Sequence, residues 1–444
     1  MRIGFICFGR STFDVVAAQK IKTRSEEVLL QLGEKWESVS ELVTTPAQAQ
    51  QAADQLAAAG VETLVAQFTT FVDGRFIELL ATRLGVPVLI WALREPGGRG
   101  ERLALNSLTG ANMAGERLHR LGVPFRLIYG DPGEAGTDEQ LRRALRVQRV
   151  YTRLRRFTVV TVGDAPDGFF FSAPRPEVLR QLGVRVENLD LHDTFRRAGD
   201  VPDERARQVL SEVKQKVVGL DRLESDTTLK FARLHAMLSD DLRRLGADAL
   251  AVRCWPEFFT EFGAAACSTI SAFTDQGVMG ACEADILGAL SMAVLHEAAD
   301  GAAYLGDLVE IDEKNDAVVF WHCGAGAFSL ARADTGAVAG RHPNRQIGFT
   351  LEFGLKPGRV TILRVGEERD GTARALIGTG EVMDEPQRFL GTSGKVKLDG
   401  GDVMRRTRAV MEAGFEPHYA LAYGDVAQEL KEAFRLLGVP VTDF

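Results

Sequence analysis

No stretch of this chain comes near the roughly 20 consecutive apolar residues that a membrane-spanning helix needs, so no membrane partner is expected. Basic charge is not in excess either. The formal net charge is −8 at pH 7, and no basic run interleaves with aromatic residues, which removes the electrostatic footprint of a nucleic-acid binder. Arg153-Leu154-Arg155-Arg156 reads as a solvated helix face. Cysteine is scarce: the five in 444 residues, Cys7, Cys254, Cys267, Cys282 and Cys323, are scattered, odd in number and set mostly in apolar segments. That spacing speaks against a disulfide framework and a structural zinc site, and for reduced, buried thiols in a cytoplasmic protein. The G-x-G-x-x-G and P-loop patterns are also missing, so a nicotinamide dehydrogenase loses its fingerprint, and Gly97-Gly98-Arg99-Gly100 reads as a loop and not a phosphate cradle. Residues 1–9 form one short apolar strand without a small-residue cleavage site, so no export signal is expected.

What remains is an ordinary globular composition, 45% hydrophobic and 26% charged, in a chain long enough for two or three domains. Residues 1–135 alternate strand signals at 2–8, 61–67, 86–91 and 125–129 with helical periodicity at 13–32 and 46–59. Gly60 and Gly85 stand where C-terminal caps belong. This alternation predicts a flavodoxin-like, doubly wound parallel sheet. After the turn-rich Asp131-Pro132-Gly133, residues 136–300 read as a second α/β domain, with strands at 158–162, 184–189 and 249–253. From residue 301 to 444 strands follow one another across Gly/Asp/Lys-rich turns, a β-rich antiparallel domain that ends in helix, strand and helix. The expected fold class is therefore α/β, two doubly wound parallel-sheet domains followed by an antiparallel β-rich C-terminal domain.

Chemistry concentrates between residues 283 and 323. Ala284, Ile286, Leu287, Leu290, Ala293, Val294 and Leu295 recur at helical spacing, which predicts a helix with Glu283 in its first turn. Alone, such a glutamate complements the helix dipole. Asp307 is flanked by apolar residues as in a strand, and a carboxylate there needs a partner, a turn or a metal. His322 closes the apolar run Val318-Val319-Phe320-Trp321, a place that also suits a satisfied core histidine. His418, directly after Pro417, is the one late histidine in an apolar context. Oxygen and imidazole donors together suit Mn²⁺ or another borderline divalent cation. Cys282 and Cys323 flank these residues and read as packing. Ligands of doubly wound sheets meet the carboxyl ends of the strands, where Arg10, Gln67 and Trp91 stand. Arg10 and Gln67 suit sugar hydroxyls or strand-end caps equally, and Trp255, after the strand at 249–253, offers a flat apolar face to a sugar or to the core.

Glu283-Ala284-Asp285, Gly306-Asp307-Leu308 and Trp321-His322-Cys323-Gly324, followed by Glu416-Pro417-His418-Tyr419, resemble the metal and acid/base motifs of the L-fucose isomerase and L-arabinose isomerase superfamily. Leu355-Lys356-Pro357-Gly358-Arg359-Val360-Thr361 is similar to a strand-turn-strand piece of that family's C-terminal domain. The resemblance covers the whole length and is strongest from about residue 245 onward.

This resemblance implies an aldose–ketose isomerase that works on an open-chain aldose through a cis-enediol, with Glu283 and Asp307 as the acid/base pair. It further implies that Glu283, Asp307 and His418 share one Mn²⁺, with His322 in or beside the ligand shell, and that Arg10, Gln67, Trp91 and Trp255 hold the rest of the sugar. A homo-oligomer, trimer or hexamer, is expected, because sites in this family are commonly closed by a neighbouring subunit. The sugar stays open among L-fucose, D-arabinose, L-arabinose, D-galactose and a 6-modified hexose such as a sulfosugar; Arg10, Arg94 and Arg99 would suit an anionic one. Two readings compete: a metal-dependent aldolase or epimerase with the same enediolate chemistry, and a non-catalytic sugar-binding protein.

Overall fold

The uninterrupted apolar run from Ile3 to Phe8 has no polar face to offer solvent, and it becomes the strand β1 (Arg2–Phe8), buried at every position but Arg2. Such a strand belongs inside a parallel sheet covered on both faces. The computed structural model describes residues 1–444 and divides into two units, Met1–Thr152 and Arg153–Phe444. In the first, β1 is joined by β2 (Lys35–Ser38), β3 (Thr63–Phe68), β4 (Val88–Ala92) and β5 (Phe125–Tyr129). All pairings are parallel, in the order β2-β1-β3-β4-β5, which is the flavodoxin-like order. The helix Pro46–Ala59 starts on a Thr45–Gln48 capping box and stops at Gly60, φ 67°; the helix Arg75–Leu84 stops at Gly85, φ 62°. Glycine takes this left-handed conformation without a Cβ clash, as its capping position requires.

The second unit holds two sheets. β6 (Phe157–Val162), β7 (Val184–Leu189), β9 (Ala249–Val252) and β10 (Met279–Ala281) form a parallel sheet in the order β10-β9-β6-β7. The two-residue β8 (Val217–Val218) lies among them in the chain but pairs elsewhere, with β13 (Ala337–Gly340). The other sheet also contains β11 (Ala303–Asp312), β12 (Ala317–His322), β14 (Thr350–Gly354), β15 (Gly358–Glu367), β16 (Ala373–Val382), β17 (Thr392–Leu398), β18 (His418–Tyr423) and β19 (Val441–Asp443). Its order is β19-β16-β15-β18-β11-β12-β17-β14-β13-β8, and β16 pairs with β17 as well. The strands β16-β15-β18-β11-β12-β17 therefore close on themselves, every contact antiparallel. Closure removes the exposed edges that an open sheet would carry. Two parallel sheets with helices and an antiparallel C-terminal barrel are the expected fold class. The closure itself was not expected, because β17 reads Thr392-Ser393-Gly394-Lys395-Val396-Lys397-Leu398, a short and glycine-interrupted alternation.

The helix Ile286–Ala299 packs against β9 and β10 of the parallel sheet and against β15 and β18 of the barrel. Leu287 through Leu295 are buried on every side, as a helix with no polar face must be. It starts later than its periodicity implies. Asp285 is the N-cap, its carboxylate accepting the Gly288 N–H at 2.8 Å. Glu283 and Ala284 precede the cap at φ 52° and 55°, so Glu283 is not in the first turn, and the dipole reading of that residue falls. Two consecutive left-handed residues with a Cβ cost about 1–2 kcal/mol each, and strain of this kind collects at functional sites. No helix is long and apolar enough to cross a membrane.

Candidate metal centre

Three barrel strands meet in one row. Asp307 on β11 stands opposite Trp321 on β12 on one side and opposite His418 on β18 on the other. Cross-strand partners lie about 5 Å apart, so the register alone brings residues 307 and 418 together. His418 Nε2 is 3.5 Å from Asp307 Oδ1 and 3.4 Å from Glu283 Oε2. His322, the last residue of β12, points Nε2 at the same Glu283 oxygen from 3.9 Å. Glu283 reaches this point from the left-handed link between β10 and the buried helix. One donor atom each from Glu283, His322 and His418 lie within 4.8 Å of one another.

Behind His418 stands a wholly buried ion pair. Asp285 Oδ2 accepts from His418 Nδ1 at 2.8 Å, and the same carboxylate takes two bonds from Arg364, at 2.6 and 3.2 Å. Both Asp285 and Arg364 are fully inaccessible. Burial alone would raise the Asp285 pKa, but Arg364 and His418 outweigh it and hold the carboxyl well below the usual range. Asp285 is thus ionised and accepts, so Nδ1 of His418 carries a hydrogen and Nε2 presents its lone pair toward Glu283 and Asp307. His322 is arranged the other way round. Its Nδ1 accepts the Cys323 backbone N–H at 2.9 Å, which in the neutral ring leaves the hydrogen on Nε2.

The donor set fits a divalent cation. Glu283 Oε2 is a buried atom with no hydrogen-bond partner, which is rare unless a ligand belongs there; His322 Nε2, also without a partner, carries a hydrogen and needs an acceptor instead. The 3.4 and 3.5 Å separations around His418 Nε2 fall in the range of about 3.0–3.6 Å expected for neighbouring ligands on an ion bound at about 2.1–2.2 Å. Burial, together with the negative charge of Asp307, pushes the Glu283 carboxyl well up. A cation among these groups reverses that balance and ionises it.

The donors open into a cavity of about 210 Å³. Glu283, Asp307 and His322 line one side, Trp255 and Trp321 supply aromatic faces, and Arg345 stands on its wall. Arg345 is exposed, its guanidinium 6.0 Å over the Phe259 ring and without an acidic partner. Trp255 is braced edge-on by Phe169, ring centres 5.3 Å apart.

The remaining sugar-binding candidates belong to the first unit. Gln67 is closed inside it, bonded to Ser25 and Cys7, and Trp91 is equally buried, its indole N–H donating to Gly130 O at 2.9 Å. Neither has surface to offer a sugar, because the polar groups of each are already satisfied within the core. Arg10 is exposed, its guanidinium 5.7 Å over Phe71, and Arg94 is paired with Glu134. A larger cavity of about 730 Å³ lies in this unit along the helix Ser107–Arg120, but no group of metal-ligating atoms converges there.

Arg364 and Arg345 were not singled out from the sequence, and Asp285 entered only as part of Glu283-Ala284-Asp285, without a role. Arg364 had a signal: it is the one charge within Val360-Thr361-Ile362-Leu363-Arg364-Val365. A buried cation in such a run requires a buried anion, and the fold supplies Asp285, with Glu416 3.6 Å away as a second acid.

Comparison with known proteins covers nearly the whole chain. The family profile described as L-fucose isomerase, C-terminal domain, matches residues 323–444. The profile described as fucose/sulfoquinovose isomerase, N-terminal domain, matches residues 4–155. A sulfoquinovose isomerase of Alkalicoccus urumqiensis is 42% identical over 441 residues, 99% of this chain and 98% of its own. That of Priestia megaterium is 42% identical over 439 residues, 98% and 97% of the two chains. A third protein of the same name, from Clostridium sp., is 35% identical over 432 residues, 97% and 96%.

Proposed function

The chain belongs to the fucose/sulfoquinovose isomerase family of sugar isomerases, and from that premise we propose that it interconverts an aldose and a ketose with a divalent cation, Mn²⁺ being the preferred one. The relatives' name directs the choice of sugar to a hexose carrying a sulfonate. What supports the reading most is a single observation: one oxygen each of Glu283 and Asp307 stand 3.4 and 3.5 Å from the same nitrogen of His418.

In this reading Glu283, Asp307 and His418 hold the cation. When bound, the cation supplies Lewis acidity toward the carbonyl oxygen at C1 and the hydroxyl at C2 of the open-chain sugar. The two carboxylates are the acid/base pair: one carries hydrogen from C2 to C1, the other moves a proton between O2 and O1, and the sugar passes through a cis-enediol. His322 donates from Nε2 to a sugar oxygen. Asp285 and Arg364 fix the His418 ring from behind. Trp255 covers C–H groups of the sugar with its apolar face, and Arg345 receives the sulfonate, for which a planar guanidinium is the apt partner. Arg10, just beyond β1, contacts the sugar in an assembled trimer or hexamer. Five free thiols suit the cytoplasm, where such groups stay reduced.

The test is to incubate metal-stripped protein with sulfoquinovose in D₂O, with and without Mn²⁺. Ketose bearing deuterium at C1 is expected only with the metal, and no exchange under saturating Mn²⁺ would refute isomerisation of this sugar. Glu283→Gln and Asp307→Asn are each expected to abolish turnover with the fold retained.

A further inference from the structure

The cysteines that lie scattered along the sequence are not scattered in the fold. Cys254 follows β9, Cys267 opens the helix Cys267–Asp275, Cys282 follows β10 and Cys323 follows β12. All four are buried free thiols. The Cys267 and Cys323 sulfurs are 3.8 Å apart, and those of Cys267, Cys282 and Cys323 all lie within 4.8 Å of one another. Cys254 comes within 4.8 Å of Cys282 and of a Glu283 oxygen. Only Cys7 stands elsewhere, inside the first unit.

Three sulfurs in mutual contact differ from a single buried cysteine acting as a small hydrophobe. A thiolate-bound ion such as Zn²⁺ sits about 2.3 Å from each sulfur, which sets neighbouring sulfurs about 3.8 Å apart in a tetrahedral shell. The Cys267–Cys323 pair already has that separation, and the third sulfur needs to move by no more than about 1 Å. Cys323 also lines the 210 Å³ cavity, so an ion has a way in.

We propose that Cys267, Cys282 and Cys323 form a second cation site, selective for a thiophilic divalent ion and separate from the oxygen and imidazole donors of Glu283, Asp307 and His418. The two sites adjoin in the chain where Cys282 stands beside Glu283, and Cys323 stands beside His322. Soft sulfur and hard oxygen donors sort cations between them: Mn²⁺ to the carboxylates, Zn²⁺ or Cd²⁺ to the thiols. Each thiol gives its proton to the buffer as it binds.

The experiment titrates full-length, reduced protein with Cd²⁺ in the presence of saturating Mn²⁺, following the ultraviolet thiolate-to-cadmium charge-transfer band. Carboxylates and imidazoles do not produce this band, so the result is independent of the proposed isomerase site. Saturation at one equivalent per chain is expected. Cys267→Ala should weaken Cd²⁺ binding by at least about tenfold, since even indirect partners of a metal ligand are worth that much, whereas Cys7→Ala should leave it unchanged; circular dichroism melts establish that each variant is folded. Absence of the band in the wild-type protein would overturn the proposal whatever the variants do. So would a band retained at full affinity in Cys267→Ala or lost in Cys7→Ala.

Discussion

Asp285 accepts a hydrogen bond from His418 Nδ1 at 2.8 Å, and that bond decides which nitrogen of His418 faces Glu283 and Asp307. The same carboxylate neutralises Arg364 and caps the buried helix, so one residue links the stability of the second unit to the electronic state of the site. Asp285→Asn is expected to lower Mn²⁺ affinity by about 10–100-fold and to cost up to about 3–5 kcal/mol of stability, the loss for breaking a buried pair, since Arg364 keeps only its longer contact to Glu416, at 3.6 Å. Electron paramagnetic resonance of free Mn²⁺ and a chemical melt check the two effects separately.

His322 and His418 present opposite faces to their neighbours. If His322 acts as a donor to the sugar, His322→Asn should leave Mn²⁺ affinity within about threefold of wild type while kcat falls by about 10²–10³, the usual loss for one such donor. A parallel collapse of metal affinity would instead make it a ligand.

Burial and the neighbouring Asp307 carboxylate hold the Glu283 carboxyl above its ordinary range in the metal-free protein. The folded state therefore binds this proton more tightly than the unfolded state does. Its contribution to stability is full below the unfolded value near 4.3 and is lost as the pH rises through the folded value. Metal-free wild type should accordingly lose stability relative to Glu283→Gln as pH climbs from about 4.3, and Mn²⁺ binding should tighten with pH and release a proton. Melts of both proteins across that range, with proton release followed by an indicator dye, test the sign.

The alternation of the first 130 residues and the run of late strands were enough to read the architecture, since burial on both faces and period-two patterning are local properties. Glu283, Asp307, His322 and His418 were legible as well, each by its awkward place at the edge of an apolar segment. Their meeting followed from the family resemblance and from no local pattern. It depends on the register that sets Asp307 opposite His418 and on the left-handed turn at Glu283, neither of which has a local pattern. The pairing of Arg364 with Asp285 escaped notice because a buried ion pair joins residues that only the closed barrel and its helix bring together. Gln67 and Trp91 stand at the end of parallel strands, a good address for a ligand, but here these side chains turn into the core.

Arg345 stands unpaired on the cavity wall, in a protein whose arginines mostly have acidic partners. Arg345→Met is expected to raise KM for a sulfonated hexose by about 10–100-fold, the worth of one charge-assisted hydrogen bond. KM for the unsulfonated sugar should stay the same. Steady-state kinetics on the pair of sugars separates loss of anion recognition from general damage to the site.

The central claim is that side chains from two sheets share one cation, and diffraction from Mn²⁺-grown crystals at the manganese absorption edge tests it most directly. The account predicts one anomalous peak per chain, about 2.1–2.4 Å from an oxygen of Glu283, an oxygen of Asp307 and Nε2 of His418. An active, Mn²⁺-saturated crystal with no peak there, or with its manganese held by other residues, would contradict it.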